Sequence, residues 1–515
     1  MTSFSNGLAS LIERQAVQGA DRVALQFEGQ AIRYGALWQS ILAAQARLAA
    51  AGVKPGDRVA YLGLNQSAML VLLFALARQG AILLPLNYRL AEPELAEILS
   101  HAGATLVLCD ASHQIVGSRL GTSGSAKLMM ASDIAGSIST ETVATQQLES
   151  GGVEATPSAG NAASPVLLVY TSGTTGKPKG ALHTQAGLLA NCAISCAVHG
   201  FTAADHVLTV LPLFHVGGLC IQTLPALQAG AQVTLHARFD AGAWLDDVAH
   251  LRPTTALMVP ATMRAVLDHP RFGATDLSSL RQIIAGSSQV PVSLIAAFHA
   301  RSVTVGQIYG ATETGPVSIC LTGDAAMSQV GSTGKPAPGV QVRLVDAAGR
   351  DVKAGHVGEI WVRAPNLMHS YWRDPDNPAF QQGWFHTGDL ARCDANGFYW
   401  VVGRSKDMII SGGENIYPAE IENLLADCPL VQEAAAVGLP HPQWGEVVVA
   451  VVVPKPGTAF DEADVLRWLD GKIARFKLPR QVVIIESLPK TALGKVKKNL
   501  LLALLEQASP DQAPR

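Results

Sequence analysis

Short apolar runs alternate with helix-period segments through most of the first 400 residues. RVAYLGL (58–64), AILLPL (81–86), ATLVLCD (104–110), HVLTVLPL (206–213), AQVTLH (231–236), TTALMVP (254–260) and RQIIAG (281–286) are apolar at consecutive positions, the pattern of strands buried on both faces. Between them, SILAAQARLAAAGV (40–53) and EPELAEILSHAG (92–103) carry apolar residues at spacings of three and four with a glycine near the end, which predicts helices. The alternation predicts an α/β body of mixed, largely parallel sheets flanked by helices. AMLVLLFALA (68–77) is cut off by Arg78 and Gln79 at about half the ~20 apolar residues of a spanning helix, so it reads as a buried helix.

The pattern changes twice. Residues 120–163 are rich in Ser, Gly, Ala and Thr and predict a loosely ordered excursion. From about 340, VQVRLVDAAGR, GEIWVRA and GFYWVVGRSKDMIISGG predict short strands and tight turns, a β-rich subdomain. Helix AEIENLLADC, strands EAAAVGL and GEVVVAVVVP, helix EADVLRWLDGKI, strand RQVVIIESL and the basic tail KTALGKVKKNLLLALLEQ then predict a small α+β C-terminal domain beginning near 404–407.

Length and composition agree with several cores: 515 residues exceed one hydrophobic core, and 48% apolar with 15% charged residues describes a folded chain. A net charge of −3 argues against a dedicated nucleic-acid binder and points to small-molecule partners. Seven scattered cysteines without a CxxC pair or zinc spacing read as reduced thiols of a cytoplasmic protein; Cys192 and Cys196 share a helical face without ligand partners. The start MTSFSNGLASLIERQ has no basic n-region and does not read as a signal peptide, and no integral membrane association is expected.

TSGTTGKPKG (171–180) carries the strongest chemical signal. Gly173, Gly176 and Gly180 let the backbone approach a ligand; amides and the hydroxyls of Thr171, Ser172, Thr174 and Thr175 offer donors to oxyanions, and Lys177 and Lys179 add charge. A solvated linker has the same composition. It is not a Walker loop, because only two residues separate Gly173 from Gly176, Lys177 precedes Pro178, and GALHT reads as a second strand.

The literal string resembles the signature loop of the adenylate-forming superfamily, which includes acyl-CoA synthetases, luciferases and the adenylation domains of peptide synthetases. The family's other blocks follow in order: LPLFHVGG (211–218), AGSSQ (285–289), IYGATETG (308–315), GWFHTGDL (383–390), GRSKDMIISGGENIYPAEIE (403–422) and LPKTALGKVKK (488–498). The resemblance spans nearly the whole chain and is weakest over 115–163 and the last ten residues. It implies an ATP-dependent acyl-CoA ligase that converts a carboxylic acid, ATP and coenzyme A into acyl-CoA, AMP and diphosphate through an acyl-adenylate, with Mg²⁺ brought in by ATP. It also implies an adenylate-forming domain over 1–403, a hinge at 404–406 and a mobile C-terminal domain over 407–515.

Attack of a carboxylate on the α-phosphorus sets anion against anion, so catalysis must neutralise and align oxygens. By resemblance, Thr171, Ser172, Gly173, Thr174, Thr175, Gly176 and Lys179 hold phosphates, Thr312 holds the α-phosphate and Glu313 binds Mg²⁺. Tyr309, followed by Gly310, lies against the adenine opposite Gly286, Ser287 and Ser288. Asp389 accepts from both ribose hydroxyls, Arg404 contacts the nucleotide, and Lys495 is delivered by the small domain to the α-phosphate and the substrate carboxylate. His215 stands with Lys495, Thr312 and Glu313 in the catalytic set. Outside their frames, Glu313 would read as a surface residue, Tyr309 as core and Lys495 as a solvated charge.

After diphosphate leaves, the resemblance implies that the small domain swings about Lys406, where many relatives carry Asp. Lys495 would withdraw, and Ser411, Gly412, Gly413 and Glu414 would take its place, the glycines leaving room for a pantetheine arm. Trp444 and Phe476 match positions that hold the CoA adenine in aryl-CoA ligases, with Lys477 and Arg480 near its phosphates, although an aromatic in a small domain is more often core.

An amino-acid adenylation domain is disfavoured because His215 stands where such a domain carries a carboxylate, and Phe239-Asp240 lies outside the matching frame. A luciferase-like oxygenase shares every motif; a non-catalytic nucleotide-binding module would not need Lys495, Glu313 and Asp389. The acyl pocket is expected from 215–218, 259–263, 285–289 and 310–316, whose small and apolar residues favour a medium-chain fatty or aromatic acid. A malonate-type dicarboxylate would need Arg264 or Arg281 turned inward. A homodimer is left open.

Overall fold

The computed structural model describes residues 6–123, 126–136, 157–171, 179–288, 290–412, 414–458, 460–491 and 494–508. Two parallel-centred sheets form the body. In one, Pro165–Thr171, Ile82–Leu86, Arg58–Leu62, Leu106–Cys109 and Lys127–Met130 run parallel, and Lys179–Thr184 and Ser370–Tyr371 close one edge antiparallel. In the other, Val23–Phe27, Gln232–Leu235, His206–Thr209, Thr255–Met258, Gln282–Ala285 and Thr304–Tyr309 run parallel between antiparallel edge strands.

The consecutive apolar runs are strands because both faces are covered: Ile82–Leu86 and Leu106–Cys109 are buried at every position. Helix Ser67–Gln79 supplies much of that cover. It is buried from Met69 to Gln79, and its cluster joins Val59 and Leu83 of one sheet to Val207 and Val233 of the other. A helix apolar on all sides is stable only in such a position, where each large side chain contributes about 1.5–3 kcal/mol on burial.

Three expectations need correcting. The run HVLTVLPL is a strand only over His206–Thr209, because Asn65 draws the rest away: its Nδ2 donates to Leu211 O at 3.0 Å and its Oδ1 accepts from Leu213 N at 2.7 Å. The helix expected from residue 40 begins at Tyr34. The expected loose excursion is ordered at its start: Lys127–Met130 pairs with Leu106–Cys109, and helix Ala131–Ala135 buries Ala131, Ile134 and Ala135. The polar composition downstream masks this short apolar stretch, and 137–156 lies outside the described residues.

Antiparallel strands Gln341–Val345, Val357–Arg363, Trp384–Cys393 and Tyr399–Arg404 form the β-rich part. The C-terminal sheet, Ile409–Ser411, Glu414–Ile416, Val431–His441, Gly445–Pro454 and Gln481–Ile484, packs on helices Pro418–Ala426 and Glu462–Leu469 with its own core. The basic tail closes as helix Lys498–Ala508, held by the Lys498 ammonium on Glu422 at 2.8 Å. None of the seven cysteines is bonded.

Burial holds His183 and His199 neutral, each pushed down from 6.5 to about 4. Neither ring nitrogen of His183 has a hydrogen-bond partner among the described residues. Between those values the unfolded chain binds more protons than the folded one, so stability rises with pH across the window and is lost toward its acid end. His183→Leu is therefore expected to narrow the drop in urea midpoint between about pH 7 and pH 5. A drop as large as in the unaltered protein would show that His183 does not contribute to the acid limb.

Candidate active site

The carboxyl ends of parallel strands and one antiparallel pair converge on a single cleft, the usual ligand position in open α/β sheets. Thr304–Tyr309 ends on Tyr309 and leads into Gly310–Glu313, and Gln282–Ala285 leads into Gly286–Ser288. Asp389 and Arg404 are cross-strand partners. The Tyr309 hydroxyl donates to Asp389 Oδ2 at 2.8 Å, and Arg404 Nε pairs with Oδ1 at 2.9 Å. Each carboxylate oxygen keeps a further lone pair, enough for two ribose hydroxyls. Burial first, and then Asp389, push the Tyr309 pKa far up, so its hydroxyl stays a donor.

The backbone here is packed to contact. A Cβ on Gly310 would lie 2.1 Å from Pro316 O, and one on Gly286 would lie 2.7 Å from Ile308 O. Ser287 takes a φ of 68°, a left-handed conformation that costs a non-glycine residue energy and clusters at ligand sites. Val216 leads into a π-helical turn, Gly217–Thr223, another feature common at such sites.

Thr171 and Lys179, the described ends of the glycine-rich loop, pair directly across two strands, so the loop leaves and returns at one point. Ser172, Gly173, Thr174, Thr175 and Gly176 lie outside the described residues, as does Gly413. Glu313 lies beside this point: its Oε1 accepts from Tyr371 Oη at 2.9 Å and from Thr171 Oγ1 at 3.5 Å. Those partners are hydroxyls, which leave the negative charge available to a metal. No cluster of three or more His, Cys, Asp or Glu poised for a metal occurs among the described residues. One carboxylate beside hydroxyls fits Mg²⁺ carried in on phosphates.

Lys495 reaches the cleft from a tight turn: Thr491 N donates to Lys495 O at 2.7 Å, and Lys495 N donates to Thr491 Oγ1 at 3.1 Å. A Cβ on Gly494 would lie 3.5 Å from Ala261, so the turn rests on the body. Lys495 lines one cavity with Thr312, Ser287 and His215. Its residue keeps an exposed edge, yet its side chain borders a cavity whose other lining residues all belong to the body. Loss of water and then Arg404 lower its pKa, against Asp389 and Glu313. Burial, Lys495 and Arg89 push His215 down to about 4, so the ring is neutral, and its Nε2 has no partner among the described residues.

The cavity measures about 70 Å³. Ligand clefts run to several hundred Å³. The space bounded by Lys495 is smaller than that.

The structure places the other site candidates apart from this cavity. Arg480 lies over the Trp444 ring at 5.4 Å, and Trp444 is 37% and Phe476 48% exposed, more than core residues would be. Lys477 pairs with Glu420 at 2.5 Å. Gly412 N donates to Trp444 O, Ser411 pairs with Glu414, and Lys406 is exposed in the single turn Ser405–Asp407. Arg264 sits 3.9 Å from Asp268 and Arg281 pairs with Asp205 at 3.0 Å, so neither turns to the cavity. Asp240 caps helix Ala241–Leu251.

Residues 12–372 match the AMP-binding enzyme family, and 420–495 match the AMP-binding enzyme C-terminal domain. This chain belongs to the AMP-binding enzyme family. It is an adenylate-forming enzyme of the acid–thiol ligase class. Indoleacetate–CoA ligase of Aromatoleum aromaticum is 45% identical over 498 residues, 96% of this chain and 97% of that protein. Feruloyl-CoA synthase of an Amycolatopsis species is 38% identical over 496 residues, 96% and 98% of the two chains. ATP-bound MatB from Rhodopseudomonas palustris superposes with a TM-score of 0.87 at 32% identity, covering 97% of this chain and 99% of that one. The predicted α/β class with a small C-terminal domain is therefore borne out. Among the described residues no helix is long and apolar enough to cross a membrane.

Within this AMP-binding enzyme, three features of the cleft went unread in the sequence: Tyr371 on Glu313, Arg89 near His215, and the π-helical turn. Tyr371 and Arg89 lie outside the signature blocks, and no periodicity distinguishes a π turn from an α-helix over GGLCIQT.

Proposed function

We propose that the protein is an ATP-dependent acyl-CoA ligase for a compact aromatic acid, yielding acyl-CoA, AMP and diphosphate. The observation that carries the substrate class is the wall of the cavity. Val216, Gly217, Ile221, Ile308, Ala311 and Pro316 line it together with the polar His215, Ser287, Thr312 and Lys495, while Arg264 and Arg281 are engaged elsewhere. Among the described residues that line it, Lys495 is the one cation, and the reacting carboxylate needs it; Arg89 bears on His215 from outside that lining. The indoleacetate and feruloyl relatives support a ring-bearing acid.

In the first half-reaction the substrate carboxylate attacks the α-phosphorus and diphosphate leaves. Lys495 and Thr312 offset the charge that gathers on the α-phosphate oxygens, and the loop 171–179 holds the leaving diphosphate. Mg²⁺ on Glu313 would neutralise phosphate charge. Tyr309 flanks the adenine, and Asp389, aligned by Arg404, binds the ribose. The neutral His215 is a wall of the acid site without repelling Lys495. In the second half-reaction the CoA thiolate attacks the acyl carbonyl and AMP leaves. Rotation of 407–515 about 404–406 would bring Ser411–Glu414 to the cleft, with Trp444, Phe476, Lys477 and Arg480 around the CoA nucleotide.

The test is CoA-dependent AMP production over benzoates, arylacetates, cinnamates, C6–C12 fatty acids and short dicarboxylates. An aromatic acid is expected to give the highest kcat/KM, with dicarboxylates at least about a hundredfold lower. A dicarboxylate or fatty acid at the top of the series would overturn the aromatic reading.

A further inference from the structure

We infer that Tyr371 is a positioning residue that ties the mouth of the phosphate loop to Glu313 and so sets how that carboxylate meets a nucleotide-bound cation. The inference rests on the metal role proposed for Glu313.

The two-residue strand Ser370–Tyr371 lies on the strand that leaves the loop, Tyr371 opposite Ala181. Trp372 N donates to Gly180 O and His369 N to Leu182 O, both at 2.7 Å, which fixes the segment from either side. From there the Tyr371 hydroxyl donates to Glu313 Oε1, the oxygen that Thr171 Oγ1 also approaches. The Lys179 ammonium stands 5.0 Å from the centroid of the same ring. Thr171 is the last residue before the undescribed loop segment and Lys179 the first after it, so one phenol touches the exit of the loop and the carboxylate its entrance contacts.

The neighbouring residues make this a rigid linkage. Met368 N donates to Glu313 O at 2.9 Å, so one segment grips both the backbone and the side chain of Glu313. The ring is 8% exposed and packs with Ala181, Met368 and Phe385. Among the described residues, both hydrogen bonds to the carboxylate fall on Oε1 and none on Oε2. Burial and then Glu313 push the phenol pKa up, so it remains a donor at working pH.

A purely structural tyrosine would act through its ring; a positioning tyrosine acts through its hydroxyl. Tyr371→Phe keeps the ring. Calorimetric titration of Mg²⁺·ATP is expected to show about tenfold weaker binding, the order of one hydrogen bond to a charged group. Adenylation should recover as Mg²⁺ is raised, and thioester formation from supplied acyl-AMP should be the less affected half-reaction. In a Glu313→Gln background, Tyr371→Phe should add nothing to the loss. Unchanged Mg²⁺·ATP affinity in Tyr371→Phe, or additive losses in the double variant, would overturn the inference. If Glu313→Gln alone left the Mg²⁺ requirement unaltered, the metal role of Glu313 would fall first, a result separable from failure of the tyrosine linkage.

Discussion

Lys495→Ala will lower acid-dependent exchange of labelled pyrophosphate into ATP by about 10²–10³-fold, the loss typical of removing one preorganised charge-stabilising donor. The same variant should form thioester from supplied acyl-AMP and CoA at close to the unaltered rate. The asymmetry follows from position. Lys495 shares a cavity with Thr312, and its ammonium feels Arg404, Asp389 and Glu313, which supports the proposal that its charge serves the nucleotide end of the first half-reaction. Because loss of water lowers its pKa below that of an ordinary lysine, adenylation should also decline at a less alkaline pH than such a lysine would dictate, and that limb should vanish in the variant. Equal loss of both half-reactions would remove Lys495 from its assigned role.

The complementary change is Lys406→Pro. The Lys495 turn already rests against the body beside Ala261, whereas Ser411, Gly412 and Glu414 line no part of the cavity, which is what the proposed first half-reaction calls for. Proline locks φ and restricts the residue before it, here Ser405 in an exposed single turn that a swing would have to rewind. Pyrophosphate exchange should survive, while CoA-dependent turnover should fall roughly a hundredfold with the swing. Rapid-quench measurement would show acyl-adenylate accumulating on the enzyme. Full thioester turnover in Lys406→Pro would place the pivot elsewhere.

Much of the fold is written in local pattern. The consecutive apolar runs and the apolar stretch 68–77 declared parallel strands and their cover, because a segment apolar on every side has to be buried on every side. Strand ends were less legible, as at Thr209, where the side chain of a distant asparagine, Asn65, competes for the backbone groups of the run. Lys127–Met130 was hidden because only its parallel partner, Leu106–Cys109, makes four weakly patterned residues a strand.

The chain by itself determined the chemistry, since a loop of hydroxyls and glycines with its ordered companion blocks states which groups must meet phosphate. Only the tertiary structure decided how those groups stand to one another. It set Lys495 into the cleft, turned Arg264 and Arg281 away from it, and laid Tyr371 on Glu313 across 58 positions of sequence. The physical reason is range. Periodicity and turn chemistry act over a few residues, whereas which carboxylate finds which hydroxyl depends on sheet register and on how two separately cored parts of the chain pack.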